Sequence, residues 1–256
     1  MAAGKHWEQH WRLGLRWLHC GWRLVKRFPL TLLGLGLPAG ALIAFIGPLP
    51  VVGMPLLMLL APLWLAAAVV TLDTLAAGGD APPAGEKPPG TAARVAGRLS
   101  QSNTMLTLLA LGLVAMTAAV VINIAGHLLS GGQWQLGWSQ LDLGGKALAL
   151  LAGLAALVLY AGLYLGLGFG LVLIALQPGP ARPALARGME IAWRHPLELL
   201  LPLAVLLAPA ALAAPVKSFS LPAGLGLAWG GATLSFPLFA AALYCCYRTL
   251  TLRRSD

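Results

Sequence analysis

Five stretches of this chain carry no Asp, Glu, Lys or Arg: Phe28 to Leu72, Leu99 to Leu141, Ala147 to Ala181, Leu199 to Val216 and Ser218 to Tyr247. A helix needs roughly 20 mainly apolar residues to cross the hydrocarbon core of a bilayer. These stretches meet that need, and a hydrophobic fraction of 59% excludes an ordinary soluble domain. The first stretch is about twice the length of one span, so it must turn back. Gly47-Pro48-Leu49-Pro50 is the place to turn, because proline and glycine both break a helix there.

Six spans follow: Pro29 to Ile46, Val51 to Leu72, Met105 to Leu129, Ala147 to Leu176, Leu197 to Ala214 and Ser220 to Tyr244. The expected fold is all-α, an integral membrane bundle of six transmembrane helices in hairpins, with interfacial amphipathic helices. It reads as a single membrane domain over 1–256. Its parts are an amphipathic interfacial helix (5–28), a first helix hairpin (29–72), a flexible cytoplasmic linker (77–92) and helices three and four (105–176). A second amphipathic lead-in (181–195) and a last hairpin (196–247) complete it.

Six spans put both termini on one side. Of the 17 basic residues, Lys146 and Lys217 then fall on the opposite side and all the others share the side of the termini. Lys and Arg collect on the cytoplasmic face, so both termini are expected in the cytoplasm. Richness in Ala, Gly, Leu and Arg points to a GC-rich bacterial gene, hence to the bacterial inner membrane as a multi-pass protein. The net charge of +9 then belongs to residues flanking spans, where it sets topology and attracts anionic headgroups. No nucleic-acid partner is expected. No cleavable signal peptide is visible, since the first 28 residues are basic and Trp-rich. Cys20, Cys245 and Cys246 all fall on the cytoplasmic side, where thiols stay reduced, so no disulfide framework is expected.

On a helical wheel of about 100° per residue, Trp7, Trp11, Leu15, Leu18, Trp22 and Val25 share one face. Lys5, Arg12, Arg16, Arg23 and Arg27 form a stripe opposite. Rings at headgroup depth with cations toward phosphate describe a helix lying in the membrane interface. The alternative is a cytoplasmic helix packed on the protein's own loops. The expected lipid-interface residues are Trp7, Trp11, Arg12, Arg16, Trp22 and Arg23.

Gly21 to Leu33 (GWRLVKRFPLTLL) and Gly188 to Leu200 (GMEIAWRHPLELL) share six of thirteen positions, including Arg27/Arg194 and Pro29/Pro196. Each copy reads as an amphipathic lead-in, a Pro-marked bend and then a hairpin. Thr91 to Ser102 is a weaker third lead-in. Both clear copies enter from the same side, so the repeat is parallel rather than inverted.

In Gly21-Trp22, Arg27-Phe28-Pro29, the Leu49-Pro50-Val51-Val52-Gly53 turn, Pro62, Asp73 and the Tyr244-Cys-Cys-Tyr247-Arg248 ending, the chain resembles a known family. It is the BPSS-type family of proteobacterial inner-membrane proteins, a domain of unknown function. That family is distantly similar to the membrane domain accompanying some glycerophosphodiesterases. The resemblance covers most of the chain and implies a multi-span α-helical inner-membrane protein, with no catalytic residues to carry over. The chain departs from it in the Pro-rich segment Ala77 to Ala92 and in its Trp-rich N-terminus.

Reactive groups are sparse. His6 and His10 lie four apart, but His19 points away, which leaves two ligands from one helix. His-Trp-Glu-Gln-His is not the His-Glu-x-x-His zinc signature. No metal and no cofactor is expected. No phosphate-binding glycine loop, nucleophile turn or paired carboxylates occur within a span, so no catalytic residue is assigned and the chain is not read as an enzyme.

Ionisable residues inside a membrane are functional candidates. His127 and Asn123, one turn apart, form a candidate polar intramembrane site, with a helix-to-helix hydrogen bond as the alternative. Glu198 could pair with Arg194 four residues earlier. Trp134 and Trp138 are expected at the outer interface. Gly36/Gly40, Gly162/Gly166/Gly170 and Gly226/Gly230 form small-xxx-small faces for close helix approach within the bundle or in an oligomer. Pro38, Pro55, Pro62, Pro202, Pro209 and Pro237 are expected to kink spans. The leading functional expectation is a non-enzymatic scaffold or envelope factor binding lipid, a membrane-protein partner or a second copy. A small transporter or channel is the alternative, and a lipid-processing enzyme the third reading.

Overall fold

The computed structural model describes residues 2–46, 49, 52–77, 91–100, 102–129, 142–177 and 180–252, with side chains of the first helix from residue 10 onward. Most of the linker 77–92, Trp134 and Trp138 with their loop, and part of the Gly47–Pro50 turn lie outside the described residues.

Among the described residues every element is helical. They run α1 (Ala2–Arg27), α2 (Pro29–Ala41) with a π-helical turn (Leu42–Ile46), α3 (Gly53–Ala76), α4 (Thr91–Leu99), α5 (Ser102–Leu129), α6 (Leu143–Leu176), α7 (Ala181–Arg194), α8 (Pro196–Phe219) and α9 (Leu221–Leu252). Six of these elements are long and apolar enough to cross a membrane, and they fall on the six spans expected. Each pair of spans is preceded by a helix with a polar face: α1, α4 or α7.

Local sequence explains the boundaries. Pro29 and Pro196 open α2 and α8, where a missing N–H costs nothing. Asp142 caps α6 by accepting from the Gly145 N–H at 2.7 Å. Pro38 lies inside α2, and the helix rewinds into the wider π-turn directly after it. α9 runs two turns beyond the expected Tyr244 because nothing after that residue breaks it. At 34 residues α6 is about 50 Å long, against roughly 30 Å of hydrocarbon, so it tilts or protrudes.

Packing of the first hairpin is set by small residues rather than by connectivity, whereas α8 and α9 pack closely as chain neighbours. α2 lies on α9, not on its chain neighbour α3, with which it makes little contact. Gly36 and Gly40 cause this. A Cβ at Gly36 would strike the Thr233 carbonyl, and one at Gly40 would meet the Trp229 carbonyl at 2.8 Å. α3 turns the other way, onto α5, where Gly112 admits the Leu59 carbonyl. The first hairpin is therefore splayed. Of the other small faces, Gly170 packs against Leu185, while Gly162, Gly226 and Gly230 have nothing near them. The main core joins Trp17, Leu32, Leu72, Phe169, Leu199 and Phe239 across both halves of the chain.

Candidate membrane-interface site

α1 has three faces rather than two. His10, Gly14, Trp17, Gly21 and Phe28 recur at helical spacing and turn toward the bundle, where α1 lies along α8 and α9. Trp17 is 2% exposed. A Cβ at Gly14 would lie 3.0 Å from the Glu198 carbonyl, and one at Gly21 would lie 2.8 Å from the Ala242 nitrogen. Both glycines thus let α1 approach backbone to backbone.

The other two faces carry the expected lipid-interface residues. Trp11 and Trp22 remain 47% and 46% exposed, beside Leu15. Arg12, Arg16 and Arg23 are exposed on the far stripe. Lys26 lies over the Trp22 ring, 5.2 Å from its centre. The side chain of Trp7 lies outside the described residues. The helical wheel allows an interfacial helix or a packed one. α1 packs with one face and leaves two for its surroundings.

Beneath α1 sits a polar cluster that the sequence did not indicate. Glu198, 1% exposed at the start of α8, accepts at Oε1 from His10 Nδ1 at 2.6 Å and from His195 Nδ1 at 3.0 Å. A carboxylate oxygen there can accept from each ring through an Nδ1–H. The expected Arg194–Glu198 pair is corrected: Arg194 pairs with Glu190 at 2.6 Å. Glu198 points inward under α1, whereas Arg194 ends α7 on its exposed side. Among the described residues Glu198 Oε2 and Trp17 Nε1 are buried without a partner in the same neighbourhood, where Trp17 meets His195 edge to face. The signal that could have found this cluster is the spacing of His10, Gly14, Trp17 and Gly21, a stripe between the Trp and Arg faces.

Cys20 of α1 and Cys245 of α9 are joined as a disulfide, with Cα atoms 6.2 Å apart. This corrects the expectation of free thiols, which rested on compartment alone and could not foresee α1 lying beside α9. Cys246 is the buried free cysteine.

Asn123 and His127 are not gathered into one buried site. Asn123 donates to the Tyr160 hydroxyl at 3.0 Å, and that hydroxyl donates to the Ala119 carbonyl at 3.2 Å, tying α5 to α6. His127 lies exposed in the last turn of α5. At the basic end, Asp73 takes Arg98 of α4 at 2.7 Å on one oxygen and the Tyr244 hydroxyl at 3.1 Å on the other.

Away from α1, a partly open cavity of about 390 Å³ lies where α2 and α3 separate. Leu42, Leu57, Leu60, Leu206 and Phe236 are among its walls, and the lining is overwhelmingly apolar. Trp64 reaches it with its N–H already donated to the Leu35 carbonyl at 2.9 Å.

These features define a multi-pass α-helical membrane protein whose first helix is docked along its own bundle. The chain matches no protein-family model, no curated protein and no solved structure.

Proposed function

We propose that this protein is a non-enzymatic scaffold of the bacterial inner membrane that binds anionic lipid through α1, with both termini in the cytoplasm. The single observation that carries this reading is the three-way division of α1. One face is held by α8 and α9, one offers Trp11, Leu15 and Trp22, and one offers Arg12, Arg16 and Arg23. A helix held this way keeps rings and cations pre-positioned for an interface, at no further ordering cost.

Several features support the rest of the reading. The BPSS-type resemblance agrees with a multi-span inner-membrane protein. The order of amphipathic helix, span, span recurs through the chain, as an internal repeat would give. Polar groups of the α5–α6 pair are engaged with one another or with their own helix, as in Asn123–Tyr160 and Thr117–Leu113. An apolar, partly open cavity between α2 and α3 favours lipid over the passage of ions. The partner is membrane lipid first, with a membrane protein or a second copy beside it.

The test is lipid retention by the full chain, read by native mass spectrometry after extraction from membranes. Wild type should retain anionic lipid, and the Arg12→Glu, Arg16→Glu, Arg23→Glu triple variant should lose it by more than about tenfold, given about 1 kcal/mol per basic residue at a membrane surface. Equal retention would sink the proposal. A fluorescent protein fused to the C-terminus should glow if that end is cytoplasmic, and a dark but membrane-inserted fusion reverses the orientation.

A further inference from the structure

We propose that the cavity between the splayed helices of the first hairpin is a binding site for one hydrocarbon chain of a membrane lipid. The inference rests on the membrane-spanning reading and is separate from headgroup binding by α1.

The gap is built into the packing. α2 is held on α9 by Gly36 and Gly40, and α3 is held on α5 by Gly112. Neither helix can close toward the other without leaving a backbone contact that only glycine permits. α3 and α8 also make little contact, and Pro209 of α8 is seated in the notch at Gly231 of α9. α9 thus forms the back wall and the front stays partly open.

Depth and chemistry select the occupant. Trp64 lies midway along the span Pro55–Ala76, and Leu206 midway along Pro196–Ala213, so the cavity reaches the middle of the membrane. Hydrocarbon is what surrounds a protein at that depth. The walls give a polar ligand two groups at most, the Trp64 N–H, which is already donated to the Leu35 carbonyl, and the Tyr164 hydroxyl. Water needs two to four polar partners to remain in such a site. At about 390 Å³ the cavity is more than twice the ~150 Å³ apolar cavity that admits a benzene ring. An empty apolar void destabilises in proportion to its volume, and a chain from the adjacent leaflet fills it without ordering water. The π-turn contributes Leu42 and Ile43 to the wall.

The experiment places the full chain in phosphatidylcholine nanodiscs containing a phosphatidylcholine with a diazirine on one acyl chain. After illumination, peptide mapping should find label at Leu60 and Leu206 as well as at the outward Leu113 and Val121 of α5. Ala210→Phe, which fills the cavity, should lower label at Leu60 and Leu206 by about tenfold, the change expected when space for two methylenes is lost. Label at Leu113 and Val121 should persist. Ala61→Phe gives the same test if Ala210→Phe does not fold. Background label at Leu60 and Leu206 in wild type overturns the proposal, and so does cavity label that either folded variant leaves unchanged. The probe has a zwitterionic headgroup, so failure here leaves the anionic-lipid reading of α1 standing, and failure there leaves this one.

Discussion

α1 and α7 end in copies of one thirteen-residue motif, yet they are held differently. Gly21 and Gly188 occupy equivalent positions, and each is the point where its helix meets another backbone: Ala242 of α9 for Gly21, Gly170 of α6 for Gly188. The shared glycine is thus a shared contact. What differs is the polar equipment around it. The second copy has His195 and Glu198 where the first has Phe28 and Thr31. Glu198, held also by His195, reaches across to His10 and pins α1, not α7. α1 also buries Trp17, whereas the Trp of α7, Trp193, is 88% exposed. One copy of the motif has become the anchor for the other.

The neighbours chosen by these helices follow a pattern. α4 packs on α3 and α7 on α6, in each case the second span of the preceding pair. α1 has no preceding pair in the described chain, and it packs on α9, the second span of the last. The arrangement closes on itself, and this closure brings Cys20 beside Cys245 despite a separation of 225 residues.

The largest expected effect separates the two tryptophans. Trp17→Ala should destabilise the protein by about 3–5 kcal/mol, the usual cost of emptying a buried aromatic site, while Trp193→Ala should stay within about 0.5 kcal/mol. Thermal unfolding in one detergent compares them directly, and equal losses would mean that α7 is held as tightly as α1. Next come the glycines. Gly21→Ala and Gly188→Ala should each cost about 1–3 kcal/mol by overpacking against backbone, with Gly188 the worse because its Cβ would overlap Gly170 more closely. A reversed order would show that α9 gives way less than α6.

A comparable effect tests the pin itself. His10→Ala should cost about 1.5–3 kcal/mol for the lost hydrogen bond to a buried carboxylate, and hydrogen exchange should rise in α1 while that of α7 is unchanged. A rise in both would make Glu198 a general support rather than a latch on α1. Smallest is Asp73→Asn. It weakens an ion pair whose partners are 49% and 31% exposed, so the expected cost is about 0–1 kcal/mol. A larger loss would show that α4 is anchored as firmly as α1.

The six spans were legible because hydropathy is a local property, and Pro29 and Pro196 marked their entries at the residue. The Trp and Arg faces of α1 were legible too, since periodicity displays any face that differs in kind from its neighbours. The third face was not. Its glycines, one histidine and one tryptophan look unremarkable until a neighbour is known, and the same holds for Glu198, whose sequence-near partner Arg194 is taken by Glu190. The Asn123–Tyr160 bond corresponds to the helix-to-helix alternative, and the sequence could show that Asn123 was polar within a span but not which helix it would address.

By itself the sequence determined which segments can cross a bilayer, where they begin, and that helices with polar faces lie between the pairs. Each follows from the transfer of single residues between water and hydrocarbon. Only the tertiary structure decided which span touches which: α2 on α9 instead of α3, α1 along α8 and α9, and a cavity where the first hairpin opens. Among apolar helices already in lipid, burial no longer discriminates between neighbours. The choice passes to backbone approach at glycine and to a few buried polar bonds, and both depend on shape in three dimensions.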